Sequence, residues 1–281
     1  MELITDKAAM RAWSRERHAR GVRIGFVPTM GALHAGHLAL VELAQRHADE
    51  VVVSIYVNPT QFDRRDDFER YPRTVAADQS ALSKTPCKAV FAPTDLYNPD
   101  HMTWVEVPAL SAHLCGAYRP GHFRGVATIV TKFFSIVTPD VAVFGDKDYQ
   151  QRRVIERMVS DLDLPITIVP GPTTREPDGL AMSSRNTRLT AEWRAAAVSI
   201  PRALFDARDR FTAGEHKVGA LRRPIVLAFA QTGGIVDYVA IVDDATLTPM
   251  SDDQRIDRPA VLAVAVFFGG VRLIDNVRLD P

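Results

Sequence analysis

The run EVVVSIYV, residues 50–57, constrains the fold more than any other stretch of this chain. It is short, rich in β-branched residues, and lacks the polar alternation of a strand with one wet face. Such a strand belongs in a parallel sheet covered on both sides. Parallel neighbours cannot be joined by hairpins, so helices must cross between them. The first 170 residues supply the rest of that pattern. Strand-like runs at 22–27, 88–93, 140–145 and 165–171 alternate with helical patterns over 36–48, 74–84, 122–137 and 148–161. Alternation of this kind implies right-handed βαβ units and a Rossmann-like, doubly wound parallel sheet in an α/β protein.

The pattern changes after Pro170. GPTTREPDG is rich in turn residues and reads as a linker. Two helical patterns follow, 190–211 and 217–231. The runs at 234–243 and 260–279 then suggest an antiparallel sheet, and thus a smaller C-terminal α+β domain. The expected division is 1–173 and 174–281, and 281 residues suit two domains at ~150 residues each. One interval, 94–121, has several Pro and Gly but little periodicity, which is common in functional segments.

Charge excludes some classes of partner. Lys+Arg and Asp+Glu both number 34, so nothing steers the whole molecule toward nucleic acid or an anionic membrane, and any anion site must be built locally. No apolar run approaches the ~20 residues of a membrane span. MELITDKAAM lacks the basic and apolar regions of a secretory signal. Two cysteines, Cys87 and Cys115, make neither a disulfide framework nor a four-ligand zinc site; they read as plain reduced residues of a cytoplasmic protein.

A doubly wound sheet binds ligands outside the carboxyl ends of its strands. The residues that follow the expected strands are PTMGALHAGH, NPTQF and GDKDYQQ, and the linker leads into AMSSRN. Polar chemistry therefore converges on one edge. In HAGH, His34 and His37 admit three readings: hydrogen-bonded polar residues at a helix start, a metal pair, or phosphate ligands beside free helical N–H groups. No third ligand recurs nearby at metal spacing. Gly31 and Gly36 would let an anion approach the backbone closely. The spacing is neither GxGxxG nor a Walker loop.

The phrases PTMGALHAGHLALV, VNPTQF, YRPGHFRGV, FGDKDYQQ, DGLAMSSRN and VDYVAIVD occur in order along both domains. HAGH resembles the HxGH signature of the nucleotidyltransferase superfamily, and the full set resembles the pantothenate synthetase (pantoate–β-alanine ligase) family. One departure is Val271, where the pattern leads one to expect Thr. The resemblance implies an ATP-dependent ligase: pantoate and ATP give pantoyl adenylate and pyrophosphate, and β-alanine then gives pantothenate and AMP. It further implies small-molecule substrates, Mg²⁺ accompanying ATP, and a homodimer, which the apolar runs of the second half also suit.

The same resemblance assigns roles. His34 and His37, with the Met30 backbone, would contact the ATP phosphates, and Lys147 would neutralise the α- and β-phosphates. Gly145 and Asp148 would hold the ribose, Gln61 and Gln151 pantoate, with Asn58 close by. Ser183, Ser184 and Arg185 would close on the β- and γ-phosphates as a mobile loop, with Met182 near adenine. Asp78 would help hold Mg²⁺. Plainer readings stand beside these: DYQQ fits a capping box made by Asp148 and Gln151, NP is an ordinary turn signal, AMSSRN suits a polar loop before a helix capped by Thr190, and Asp78 suits a solvated helix. One or more of Arg119, His122 and Arg124 would line the substrate mouth, their roles open.

Overall fold

In a computed structural model, residues 1–63 and 65–281 are described. The chain forms two compact units: Met1–Val107 with Arg119–Asp146 and Gln151–Pro172, and Pro108–Tyr118 with Lys147–Gln150 and Thr173–Pro281. The second therefore takes two short pieces of the expected first domain, 108–118 and 147–150. Among the described residues no helix is long and apolar enough to cross a membrane.

The first unit holds strands β1 (Glu2–Ile4), β2 (Ile24–Thr29), β3 (Glu50–Ile55), β4 (Cys87–Phe91), β5 (Val141–Gly145) and β6 (Thr167–Gly171), in the order β1-β4-β3-β2-β5-β6. Every pairing is parallel. Its helices are α1 (Lys7–Ala19), α2 (Ala35–Gln45), α3 (Arg65–Glu69) and α4 (Val75–Leu82) before β4. In the second unit lie α5 (Pro108–Ser111) and α6 (Cys115–Tyr118), the only regular structure in the interval 94–121; α7 (His122–Val137) and most of α8 (Tyr149–Asp161) return to the first unit. Successive residues of β2 serve opposite faces of the sheet. Phe26 meets Phe133 and Phe134 of α7 edge-on, while Val27 joins an aliphatic cluster with Val41, Val53 and Val143.

Strand order reverses between β2 and β5, which pair only through Gly25–Val141 and Phe26–Ala142. Beyond Phe26 the two strands part. Pro28, which has no N–H to give, lies in that parted stretch and costs the sheet no bond on the β5 side. Such an order reversal is where open α/β sheets hold their ligands. Strand β1 and helix α1 went unread in the sequence. Three residues are too few to show a period, and only their pairing with Ala89–Phe91 makes them a strand.

In the second unit are α9 (Ala191–Ala197), α10 (Ser199–Thr212), α11 (Val218–Gln231) and the antiparallel sheet of β7 (Ile235–Asp243), β8 (Ala260–Phe268) and β9 (Val271–Leu279). The expected single helix over 190–211 is two, parting at Val198. Pro201 cannot donate to the Ala197 carbonyl, and its ring crowds that oxygen, so the first helix stops. The β8–β9 hairpin turns on Gly269 and Gly270, with φ of 55° and 78°, as a tight turn with positive φ at both central residues requires. Val271 is buried in this unit's core with Phe229, Phe268 and Leu204.

Candidate active site

β2 delivers the chain to the order reversal, and the next five residues prepare a helix start. Thr29 Oγ1 donates to the Ser54 carbonyl at 2.6 Å and accepts from Gly31 N at 3.2 Å, tying the strand end to β3. Gly31 and Ala32 then take left-handed conformations, φ 81° and 51°. Buried Asp78 of α4 holds this bend: Oδ1 accepts from Leu33 N at 2.8 Å, and Oδ2 from Ala32 N at 3.1 Å and Thr74 Oγ1 at 3.2 Å. A Cβ on Gly31 would stand 2.9 Å from Asp78 Oδ2, so the bend admits only glycine. Asp78 is thus no solvated helix acid; it is 3% exposed.

His34 is the N-cap of α2, in extended conformation. Its Nδ1 accepts from Gly36 N at 3.1 Å, and His37 Nδ1 accepts from His34 N at 3.3 Å. The capping exchange usually made by Ser and Glu is made here by two imidazoles. A backbone N–H can only donate, so both Nδ1 atoms are bare and each neutral ring carries its proton on Nε2. The rings stand 4.1 Å apart, centroid to centroid. The first of the three sequence readings, hydrogen-bonded residues at a helix start, therefore holds. Among the described residues no three His, Cys, Asp or Glu gather as a metal site.

After β3, Pro59–Gln61 form a 3₁₀ turn. Asn58 is 1% exposed and links the turn together. Its Nδ2 donates to Gln61 Oε1 at 3.0 Å and to the Gly125 carbonyl at 3.2 Å, while Oδ1 accepts from Thr60 Oγ1 and Tyr97 Oη, both at 3.0 Å. Burial raises the Tyr97 phenol above its ordinary pKa, so it stays a donor. Gln61 Nε2 lies 3.3 Å from Met30 Sδ. Arg119 and His122 both reach the Gln61 carbonyl, at 3.2 and 2.7 Å. Arg124 stands apart, with its Nε 3.6 Å from Glu106 and its guanidinium over the Trp104 ring.

GDKDYQQ divides its residues sharply. Gly145 ends β5. Lys147 and Asp148 lie in the 3₁₀ turn Asp146–Asp148, their side chains 3.5 Å apart, and Asn276 of β9 donates to the Lys147 carbonyl at 3.1 Å. Tyr149 Oη donates to Asp244. Gln150 is structural: its Nε2 donates to the carbonyls of Leu110 and His113 at 2.8 and 2.7 Å, and its Oε1 accepts from Cys115 N at 2.9 Å. Gln151 has no side-chain hydrogen bond among the described residues, although it is half-buried. The capping box with Asp148 is thus not closed, because Gln151 makes no return bond.

The AMSSRN segment is anchored from both sides. Arg175 grips Asp275 of β9 at 2.6 and 2.9 Å, and its Nη1 also reaches the Gly179 carbonyl at 3.0 Å. Glu176 accepts from Asn186 Nδ2 at 2.9 Å and from Arg194 Nη2 at 2.8 Å. Those bonds hold the Glu176 carboxyl below its ordinary pKa. Ser183 Oγ accepts from Arg185 N at 3.2 Å, capping the 3₁₀ turn Ser184–Arg188. Thr190 caps α9 as expected, accepting from Trp193 N at 3.3 Å. Met182, Ser183, Ser184 and Arg185 are all half-buried.

The first unit thus brings Met30, His34, His37, Asn58, Gln61, Asp78, Gly145 and Gln151, and the second brings Lys147, Asp148, Met182, Ser183, Ser184 and Arg185. Sequence reading missed Arg175, Asp275 and Asn276. RLIDN marked two of them, but only pairing across 100 and 129 residues shows what they hold.

A parallel sheet with reversed strand order, opening on a helix capped by two imidazoles, defines an α/β protein with an anion-suited crevice at the carboxyl edge. A family model described as pantoate-beta-alanine ligase matches residues 2–278. Pantoate--beta-alanine ligase of Oryza sativa subsp. japonica is 48% identical over 306 residues, covering 99% of this chain and 97% of the other. Pantothenate synthetase of Moorella thermoacetica is 48% identical, covering 100% and 99%. Among solved structures, pantothenate synthetase from Thermus thermophilus superposes with a TM-score of 0.92 at 42% identity, covering 100% of both chains. Pantoate-beta-alanine ligase from Francisella tularensis, complexed with beta-gamma ATP and beta-alanine, gives 0.79 at 33%, covering 99% and 97%. The chain belongs to the pantoate–β-alanine ligase family and is an enzyme, a ligase.

Proposed function

We propose that the protein condenses pantoate with β-alanine at the expense of ATP, through pantoyl adenylate, releasing AMP and pyrophosphate. A carboxylate resists attack by an amine because its carbon is poorly electrophilic and oxide leaves badly. In the first step a pantoate carboxylate oxygen attacks the α-phosphorus, and the bond to the bridging oxygen breaks as pyrophosphate leaves. In the second, the β-alanine amine attacks the acyl carbon, the bond to the phosphate oxygen breaks with AMP as leaving group, and the nitrogen loses a proton. The carrying observation is the tautomer of the paired imidazoles. With both Nδ1 atoms accepting in the helix cap, the neutral rings of His34 and His37 carry their protons on Nε2, the group that would donate to phosphate oxygens.

The remaining roles follow from chemistry. Preorganised donors stabilise charge developing on the phosphates without reorganising as the reaction proceeds. Lys147, Ser183, Ser184 and Arg185 supply such donors, as does the Met30 backbone N–H. Gly145 and Asp148 hold the ribose, and Met182 lies near adenine. The uncommitted amide of Gln151 and the braced amide of Gln61 bind pantoate, since a carboxamide both donates to a carboxylate and accepts from a hydroxyl. Asn58 braces Gln61 rather than meeting substrate. Mg²⁺ bound to the triphosphate would supply further charge neutralisation, and Asp78 is the carboxylate that would help hold it. The Francisella complex with beta-gamma ATP and beta-alanine supports the substrate set. We place the enzyme in the cytoplasm as a homodimer, which sedimentation would test.

Exchange of labelled pyrophosphate into ATP tests the chemistry. It should require pantoate and proceed without β-alanine. Exchange that ignores pantoate, or that needs β-alanine, would overturn the adenylate.

A further inference from the structure

Arg119 and His122 converge on a single peptide carbonyl, that of Gln61, and Asp63 braces Arg119. Arg119 Nη2 donates to it at 3.2 Å and His122 Nδ1 lies 2.7 Å away. A carbonyl oxygen only accepts, so Nδ1 carries the proton of the neutral ring. Nε2 then faces Arg119 Nη1 at 3.5 Å as an acceptor. Asp63 Oδ1 takes Arg119 Nε at 2.8 Å and aims the guanidinium. Burial pushes the Asp63 carboxyl up, but the hydrogen bond and charge of Arg119 outweigh it and hold it below the ordinary range.

The same helix holds the turn from a second side. A Cβ on Gly125 would lie 2.5 Å from the Thr60 carbonyl oxygen, so α7 seats directly on the turn's backbone. Gly125's own carbonyl accepts from Asn58, which also holds Gln61 Oε1. The first turn of α7, with Arg119 just before it, therefore braces the backbone of Gln61 through His122 and Arg119 and its side chain through Asn58. A surface turn with only a structural duty needs no buried histidine and half-buried arginine on one carbonyl.

We infer that Arg119 and His122 are positioning residues that set the pose of the Gln61 carboxamide, and so the enzyme's selectivity for its hydroxy-acid substrate. The inference rests on the reading that Gln61 binds pantoate. Neither residue touches the reacting atoms.

Initial-rate kinetics on the full-length enzyme tests this. His122→Leu removes the donor, and losing one buried hydrogen bond is worth about a tenfold change. The KM for pantoate should rise about tenfold, while kcat and the KM for ATP stay within about twofold. His122→Asn, whose amide nitrogen stands where Nδ1 stood, should restore most of the loss. In a Gln61→Ala background, itself raised in pantoate KM, His122→Leu should add nothing. Equal rises for both substrates, or a full additional factor in that background, would overturn the inference. A silent His122→Leu beside an active Gln61→Ala would sink the positioning role alone. A silent Gln61→Ala would sink the pantoate reading and this inference with it. Should His122→Leu not fold, Asp63→Asn loosens Arg119 from the surface: pantoate KM should rise about threefold with ATP KM unchanged, and no rise would overturn the inference.

Discussion

At the scale of single residues, function rests on side chains whose hydrogen-bonding sites are already spoken for. Cys87 shows the passive case: burial pushes its thiol up to about 11, so it stays protonated and inert at neutral pH. Asp78 shows the active one. Three donors converge on its carboxylate, two of them backbone N–H groups of the bend before His34. Asp78→Ala would leave those amides unpaired in a bend already carrying left-handed Ala32. Buried charge-assisted bonds are the costly kind to lose, and we expect destabilisation of about 2–4 kcal/mol, read from the urea midpoint. A loss below about 0.5 kcal/mol would show that the bend holds itself. The residue was visible in the sequence as an acid four residues after YPRT, but its partners stand 45 and 46 positions away and carry no local sign.

At the scale of elements, the AMSSRN segment is held by a network rather than by a strand or helix. Arg194 of α9 lies between Glu176 and Asp178, 2.8 Å from each, and Glu176 also holds Asn186. Both carboxyls sit below their ordinary pKa, chiefly through Arg194. A carboxyl whose folded pKa is depressed contributes stability that is complete above its unfolded value and is lost as pH falls through the folded one. For Glu176 the loss therefore begins near the ordinary value of 4.5 and continues below it. Thermal melts from pH 6 to pH 3 should show a falling limb there, flattened in Arg194→Met. An Arg194→Met limb as steep as the parent's would mean that other carboxyls dominate. The charges were plain in the sequence as TTREPDG, yet they read as a linker, because composition reports turn residues and not what their side chains reach.

At the scale of the whole molecule, the chain visits the second unit three times. The short visits leave identifiable contacts: Tyr149 to Asp244, the Lys147 carbonyl to Asn276, and Tyr118 against Tyr238 with ring centroids 5.7 Å apart. A fragment of residues 174–281 keeps the apolar core around Phe229 and Phe268 but loses all three. We expect it to retain helical and β circular dichroism, while the amides of β8 exchange at least about tenfold faster than in the full chain, the change that loss of one or two such bonds produces. Equal protection would show that the short segments add nothing.

Local periodicity was enough to determine the α/β class, five of the six parallel strands and the antiparallel C-terminal sheet, because side-chain spacing records which face of an element is buried; the ligase family came instead from the resemblance carried by the ordered phrases. Tertiary structure alone decided the rest. It made a strand of Glu2–Ile4 and separated Gln150, which is spent on structure, from its neighbour Gln151, which is not. The physical reason is common to both. A polar side chain can satisfy its bonds with many partners, and which one it meets depends on the path of chain tens of residues away, a distance over which sequence carries no period.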